Sequence, residues 1–200
     1  MKGLVLCGGQ SMRMGRDKAT LSLNRNWWAQ LAATQLAPFT TEVLLSVNSR
    51  QAAYYPQLFT HRLIADDNAL AVRGPLQGLL SAHLAAPQDD WLVLACDMIY
   101  MQAPPLARLV HRFQQQTSSV LVYGTAEKTQ PLCGIYTAQA LQHLYHLYTQ
   151  QALTRYSMHH VLEMVQAHIM LLPITWQPYF ANMNSPEDIT KNTRPPETQR

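Results

Sequence analysis

"GLVLCGGQSMRMGRDKA" occupies Gly3 to Ala19. Its first five residues form a short apolar run without polar alternation, the pattern of a strand buried on both faces. Two adjacent glycines, Gly8 and Gly9, end the run, and Arg13, Gly15, Arg16 and Lys18 follow closely. Glycines let backbone N–H groups approach an anion, and the start of a following helix favours negative charge. The stretch therefore predicts an α/β protein whose first strand delivers a phosphate-binding loop.

The rest of the chain repeats the pattern. "EVLLSV" (42–47), "HRLIA" (61–65), "WLVLAC" (91–96), "SVLVY" (119–123) and "HIMLLPI" (168–174) read as further strands. Helical spacing falls over 27–37, 76–86, 104–116, 138–150 and 155–167, and in the fourth of these Leu141, Leu144, Tyr145 and Tyr148 form one apolar stripe. Strands alternating with helices predict an open, mostly parallel sheet with helices on both faces and ligands beyond the carboxyl ends of the strands. Residues 1–190 read as a single domain. The polar, proline-containing tail "KNTRPPETQR" (191–200) reads as disordered.

With 200 residues, 48% hydrophobic and 14% charged, the chain can bury a sizeable core. No apolar stretch approaches the roughly 20 residues that span a bilayer. Met1-Lys2-Gly3 leads straight into the first strand without a signal-peptide pattern, so the expected location is the cytoplasm, with no membrane partner. A net charge of +3 with scattered basic residues gives no nucleic-acid footprint. Cys7, Cys96 and Cys133 are odd in number and far apart, which suits small buried hydrophobes better than disulfides or a zinc site.

Neither familiar phosphate loop fits. A Walker A loop needs G-x-x-x-x-G-K-[ST], but Lys18 follows Gly15 after two residues and precedes Ala19; the dinucleotide fingerprint G-x-G-x-x-G fails because the glycines are adjacent. The loop instead holds Arg13 and Lys18 in one excursion, able to neutralise a triphosphate and a departing pyrophosphate. "LVLACDM" supplies a carboxylate: Asp97 follows a strand directly and should emerge at the same edge, where one carboxylate plus substrate phosphates suits magnesium. The alternative role for Asp97 is to cap the next helix, although Pro104-Pro105 sets that helix start later. His143, His146, His159 and His160 lie in helix candidates outside these motifs and read as surface or packing residues.

"LCGGQSMRMGRDKA" resembles the signature of the molybdenum cofactor guanylyltransferase family in the nucleotidyltransferase superfamily, Leu-x-Gly-Gly-x-Ser-x-Arg-Met-Gly-x-Asp-Lys, at every defined position. "DDNALAVRGPLQG", "ACDM", "QPLCGIY" and "NMNSPED" are similar to further family segments in the same order, over about residues 3 to 190. The resemblance implies a three-layer Rossmann-like nucleotidyltransferase fold. It implies transfer of GMP from GTP to the terminal phosphate of molybdopterin, with Mg²⁺ as cofactor and release of pyrophosphate. It also implies transient contact with molybdenum insertion proteins and recipient molybdoenzymes.

On the matching positions, the resemblance puts Leu6, Cys7, Gly8 and Gly9 at the guanine and phosphate end, Arg13 and Lys18 on the triphosphate, and Asp97 on the metal. Asp67 aligns with the acidic nucleotide-binding residue, and Asp66 is the alternative one position away. Gly74, Pro75, Leu76 and Gly78 would let backbone approach the base or ribose, Asn48 matches a polar nucleotide contact, and Asn182 and Asn184 would face the pterin. Three departures stand out. Cys7 replaces an alanine, "NRNWWAQ" stands where Gly-Lys-Pro-Leu is common, and Met98-Ile99 replaces Thr-Pro after Asp97. Rival readings are a cytidylyltransferase on the same pterin, another small-molecule nucleotidyltransferase, or a nucleotide-binding protein without transfer activity. Gly8-Gly9 and Asp17 favour the guanylyl branch, and retention of Lys18 and Asp97 favours an enzyme.

Overall fold

The computed structural model describes residues 1–8, 17–116 and 118–183. Gly9, Arg13, Asn184 and the tail from 191 lie outside the described residues. The elements in chain order are β1 (Lys2–Leu6), β2 (Ser22–Leu23), β3 (Asn26–Trp27), α1 (Trp28–Leu36), β4 (Val43–Val47), α2 (Ser49–Tyr54), β5 (Arg62–Ala65), α3 (Pro75–Ala85), β6 (Trp91–Ala95), α4 (Ala103–Gln115), β7 (Val120–Gly124), β8 (Thr129–Tyr136), α5 (Ala138–Thr149), α6 (Met158–Met164) and β9 (His168–Leu171). Short 3₁₀ turns cover Lys18–Thr20, Ala37–Phe39, Tyr55–Gln57 and Ile174–Phe180.

Seven strands form one sheet in the order β5-β4-β1-β6-β8-β7-β9, and β2 and β3 make a separate two-stranded ribbon. All neighbours in the large sheet are parallel except β8, which runs against both β6 and β7. Side-chain alternation sorts each strand between two helical layers. Val5, Leu45, Leu92, Leu94 and Ile135 point to the layer containing α1 and α4. Leu4, Leu44, Val93, Val120 and Tyr136 point to the layer of α3, α5 and α6. The expected α/β fold, a mostly parallel sheet covered on both faces, is what forms.

The apolar runs mark the strands to within a residue or two at most ends, and all three cysteines are buried free thiols. The last expected helix is shorter than its periodicity, beginning only after Ser157, whose side chain caps the His160 N–H. Periodicity misses β8, whose first four residues are only partly buried, although "QPLCGIY" falls within it. It also misses α2, six residues long, and the β2–β3 ribbon. No helix among the described residues is long and apolar enough to cross a membrane.

Close packing of α3 on the sheet requires Gly78. A Cβ at this position would lie 2.5 Å from Ser46 Oγ and 3.1 Å from Leu6 Cδ2. Gly78→Ala should therefore destabilise the fold by about 1–3 kcal/mol, the range for overpacking a dense core. Ser46 Cβ would sit at an ordinary 3.6 Å, so a Ser46→Ala background should recover part of the loss. Urea melts of the single and double variants measure both effects, and equal losses with and without Ser46 would contradict the clash.

Candidate active site

Parallel pairing sets the exits of β5, β4, β1 and β6 side by side at one sheet edge. The ladder continues just past the strands: the Cys7 N–H donates to Ser46 O (3.0 Å), Asp66 N–H to Val47 O (2.8 Å) and Cys96 N–H to Leu6 O (3.2 Å). Asp66, Asn48, Gly8 and Asp97 thus leave the sheet at fixed points along a single row. Leu6 and Cys7 are buried in opposite layers of the core, so what they present at the edge is backbone.

Lys18 reaches this row from the far end of the glycine stretch. Its Nζ donates to Asp97 Oδ2 at 3.0 Å, with the two side chains only 19% and 17% exposed. Limited solvent access strengthens such a pair relative to an open surface one. Asp97 does not cap the helix that follows, since the residue preceding α4 is Gln102. The Met98 N–H closes a turn onto Ala95 O, and the Met183 N–H donates to Asp97 O at 3.2 Å. That bond brings the 181–183 segment, with Asn182, beside the Asp97 loop. Asn182 Oδ1 is buried and has no hydrogen-bond donor among the described residues.

The loss of Thr-Pro after Asp97 is met by packing. Met98 is 2% exposed, and Ile99 packs with Trp28 and Met183 in a small separate cluster. Trp28 is the first residue of α1 and comes from "NRNWWAQ". Two segments that depart from the expected pattern thus join in one cluster, which restrains the loop after Asp97.

Asp66 and Asp67 behave differently. Asp67 turns back into its own loop: its Oδ1 accepts the Ala69 N–H (2.8 Å) and its own N–H donates to Ser81 Oγ (2.8 Å). Asp66 faces the glycine end, where a Cβ at Gly8 would lie 3.7 Å from Asp66 Oδ2. Burial raises the Asp66 carboxyl from its ordinary 3.8 to about 6. Asn48 Oδ1 is committed to capping α2 through the Gln51 N–H (2.9 Å). Gly74, with φ of 78°, takes a backbone conformation that favours glycine and opens α3, with Pro75 in its first turn and Leu76 buried. Gly78 faces Ser46 and Leu6.

Sequence reasoning passed over a cluster behind Lys18. Asp17 Oδ2 accepts from Gln51 Nε2 (2.9 Å), from the Tyr55 hydroxyl (2.8 Å) and from the Tyr54 hydroxyl, while Oδ1 accepts the Ala19 N–H (3.1 Å). The signal in the sequence is Asn48 three residues before Gln51, a capping box that marks α2 and sets these side chains. Burial, then the hydrogen bond and charge of Asp17, pushes the Tyr54 hydroxyl up to about 12, and burial pushes Tyr55 up further. The Cys7 thiol is also raised, chiefly by burial and then by Cys96 beside it, which disfavours its nucleophilic thiolate form.

Among the described residues no three His, Cys, Asp or Glu side chains gather to cage a metal. Asp97 alone, partly exposed at the edge, fits a magnesium ion that shares its ligands with a polyphosphate, since Mg²⁺ uses one or two carboxylates and keeps other positions for substrate and water.

The raised Asp66 carboxyl has a consequence for stability. A carboxyl whose folded pKa exceeds its unfolded value binds its proton more tightly when folded, so stability is lost as pH rises from about 4 to about 6 and stays lost above. A shift of roughly two pH units sets a ceiling of about 3 kcal/mol, and partial solvent screening lowers the expectation to about 1 kcal/mol. Asp66→Asn should thus stabilise the protein by that amount at pH 8 and leave it unchanged near pH 3.5. Denaturant melts at the two pH values check this, and a pH-independent difference would refute it.

Three comparisons bear on this geometry. A crystal structure of molybdopterin-guanine dinucleotide biosynthesis protein A from Archaeoglobus fulgidus superposes with a TM-score of 0.76 at 20% identity, covering 96% of each chain, and shows the same fold. A molybdenum cofactor biosynthesis bifunctional protein from Synechocystis is 33% identical over 136 residues, which are 67% of this chain and 38% of that protein. A probable molybdenum cofactor guanylyltransferase from Geobacillus is 28% identical over 136 residues, 68% of this chain and 69% of the relative. The chain thus spans well under half of the first of these relatives and about two thirds of the second. The sequence profile of the MobA-like NTP transferase domain matches residues 3–165, most of the chain, and the protein belongs to that family.

Proposed function

We propose that the protein is a nucleotidyltransferase of molybdenum cofactor biosynthesis that transfers GMP from GTP to the terminal phosphate of molybdopterin. The observation that carries this reading is the Lys18–Asp97 pair, 3.0 Å apart where the exits of β1 and β6 adjoin. In this reading a triphosphate would lie beside this cation and this metal-competent carboxylate. Family membership and the names of the relatives support the choice of substrates, and Gly8-Gly9 with Asp17 before Lys18 favours guanine over cytosine.

In this reading a phosphate oxygen of the pterin attacks the α-phosphorus of GTP. A new P–O bond forms, the α–β bond breaks, and pyrophosphate leaves with its electron pair. Mg²⁺, held by Asp97 and the nucleotide phosphates, would supply charge neutralisation when bound. Lys18 neutralises phosphate oxygens and pyrophosphate, joined by Arg13 from the glycine stretch, and Gly8 and Gly9 offer backbone N–H groups. Asp66 or Asp67, Asn48 and the Gly74-Pro75 turn with Gly78 would serve the nucleoside. Asn182, whose Oδ1 has no donor among the described residues, and Asn184 would hold the pterin. No protein nucleophile is needed, because the step rests on in-line positioning. A cytoplasmic site of action and handover to molybdenum insertion proteins and recipient molybdoenzymes belong to the same proposal.

Asp97→Ala should keep the fold and remove nearly all transfer. Turnover above about a tenth of wild type, equivalent to roughly 1.4 kcal/mol, would defeat the assigned role. Lys18→Ala should weaken GTP binding by roughly 10- to 150-fold, the value of about 1.5–3 kcal/mol for a charged contact. Asn182→Ala should reduce pterin-dependent turnover and leave GTP affinity near wild type. Calorimetric titration with GTP, CTP and ATP in Mg²⁺ tests base choice: GTP should bind at least about tenfold tighter, and equal affinities would return the protein to the wider nucleotidyltransferase class.

A further inference from the structure

Gln51 is 3% exposed and projects from α2 to a point where the two ends of the glycine stretch meet. Its Nε2 donates to Cys7 O at 3.0 Å, at the exit of β1, and to Asp17 Oδ2 at 2.9 Å, just before Lys18. The same nitrogen lies 3.0 Å from the Tyr55 oxygen, whose own hydrogen goes to Asp17. An amide has two N–H bonds. One therefore serves the Cys7 carbonyl, and the other is shared between Asp17 and Tyr55. Its Oε1 accepts the Asn48 N–H at 2.9 Å and completes the cap of α2. One side chain thus ties together Cys7, Asp17 and its own helix.

We propose that Gln51 is a positioning residue for transfer: it fixes Asp17 against the end of β1 and so holds Lys18 at the reach that meets Asp97. The claim rests on the proposed nucleotidyl transfer for its kinetic part only. The chain of cause is short. Asp17 accepts the Ala19 N–H and caps the Lys18–Thr20 turn, so moving its carboxylate unwinds the turn from which Lys18 projects. Tyr54 and Tyr55 donate to Asp17 Oδ2, the oxygen that Gln51 also reaches. Lys18 lies immediately after the residue so held, and a displacement of about 1 Å in a positioned group can cost on the order of 100-fold in rate.

Gln51→Met separates this role from a structural one. It keeps the length of the side chain and removes the donor that reaches Cys7 and Asp17, while Asn48 Oδ1 still accepts the N–H of residue 51 and caps α2. Two readouts are needed: hydrogen exchange of the Ala19, Thr20 and Leu21 amides in the ligand-free protein, and steady-state kcat/KM for GTP with molybdopterin and Mg²⁺. The expected result is at least tenfold faster exchange at those three amides, unchanged exchange in α3 and α5, and at least a tenfold fall in kcat/KM. Tyr54→Phe, which removes one further donor to Asp17, should move both readouts the same way by about three- to tenfold, and Gln51→Leu stands in if Gln51→Met fails to fold. Unchanged exchange at Ala19–Leu21 would overturn the proposal, as would acceleration spread through the whole sheet or local acceleration with kcat/KM within twofold of wild type. If the wild type transfers nothing from GTP, the functional reading fails by itself, and the exchange arm still decides whether Gln51 holds the Lys18 turn.

Discussion

A strand buried on both faces must find partners for every backbone N–H and C=O within its own sheet, because no water reaches it. β1 and β4 meet that demand by parallel pairing on both sides, β6 by parallel pairing with β1 and antiparallel pairing with β8, and the parallel ladder runs past the strand ends at Cys7, Asp66 and Cys96. The chemistry-bearing residues are the first ones released from this ladder. Their spacing along the edge is therefore set by the separation of parallel strands, not by the loops that carry them. Helices packed on both faces keep the ladder dry and, with Gly78, let α3 approach β4 and β1 closely.

Legibility in the sequence follows from how much each element depends on its own residues. Central strands are continuous apolar runs because both faces are buried, and such runs are readable without context. β8 is half open over Thr129–Leu132, and its only interior glycine, Gly134, is needed because a Cβ there would lie 2.5 Å from Val122 Cγ1. A strand shaped by its neighbours carries little pattern of its own. α2 spans too few residues to show helical period, and its capping box is the local mark. The β2–β3 ribbon turns through Asn24 and Arg25, both at positive φ; arginine there is not a residue that announces a turn.

The candidate site divides along the same line. Asp97 is readable because it follows a strand, and Lys18 because it closes a motif. That they pair is a fact of tertiary structure, since 79 positions separate them. The choice between Asp66 and Asp67 is invisible to alignment, because it depends on which carboxylate the loop consumes for its own turn. Gly78 shows a similar ambiguity: a glycine near a ligand site and a glycine required for helix packing look alike in one dimension. Trp28 and Ile99, far apart in sequence, share one small cluster with Met183, a restraint on the Asp97 loop that no local pattern announces.

Acid–base behaviour separates the two ends of the row. Tyr54, with its hydroxyl pushed to about 12, and Tyr55, higher still, remain protonated donors at any physiological pH. The two hydroxyls therefore keep the hydrogens they donate to Asp17 over that range. Asp66 changes charge near pH 6, because burial beside Gly8 disfavours its anion. Its carboxylate is negative above that value, at the edge where the glycine backbone faces the proposed nucleotide. In the proposed reading, hydrogen-bond donors on a purine base or a ribose would be drawn to that charge on the Asp66 side of Gly8, while the phosphates would meet the Gly8 N–H from the Lys18 side. The charge pattern along the edge would thus orient the proposed nucleotide, with its phosphates toward Lys18 and its nucleoside toward Asp66.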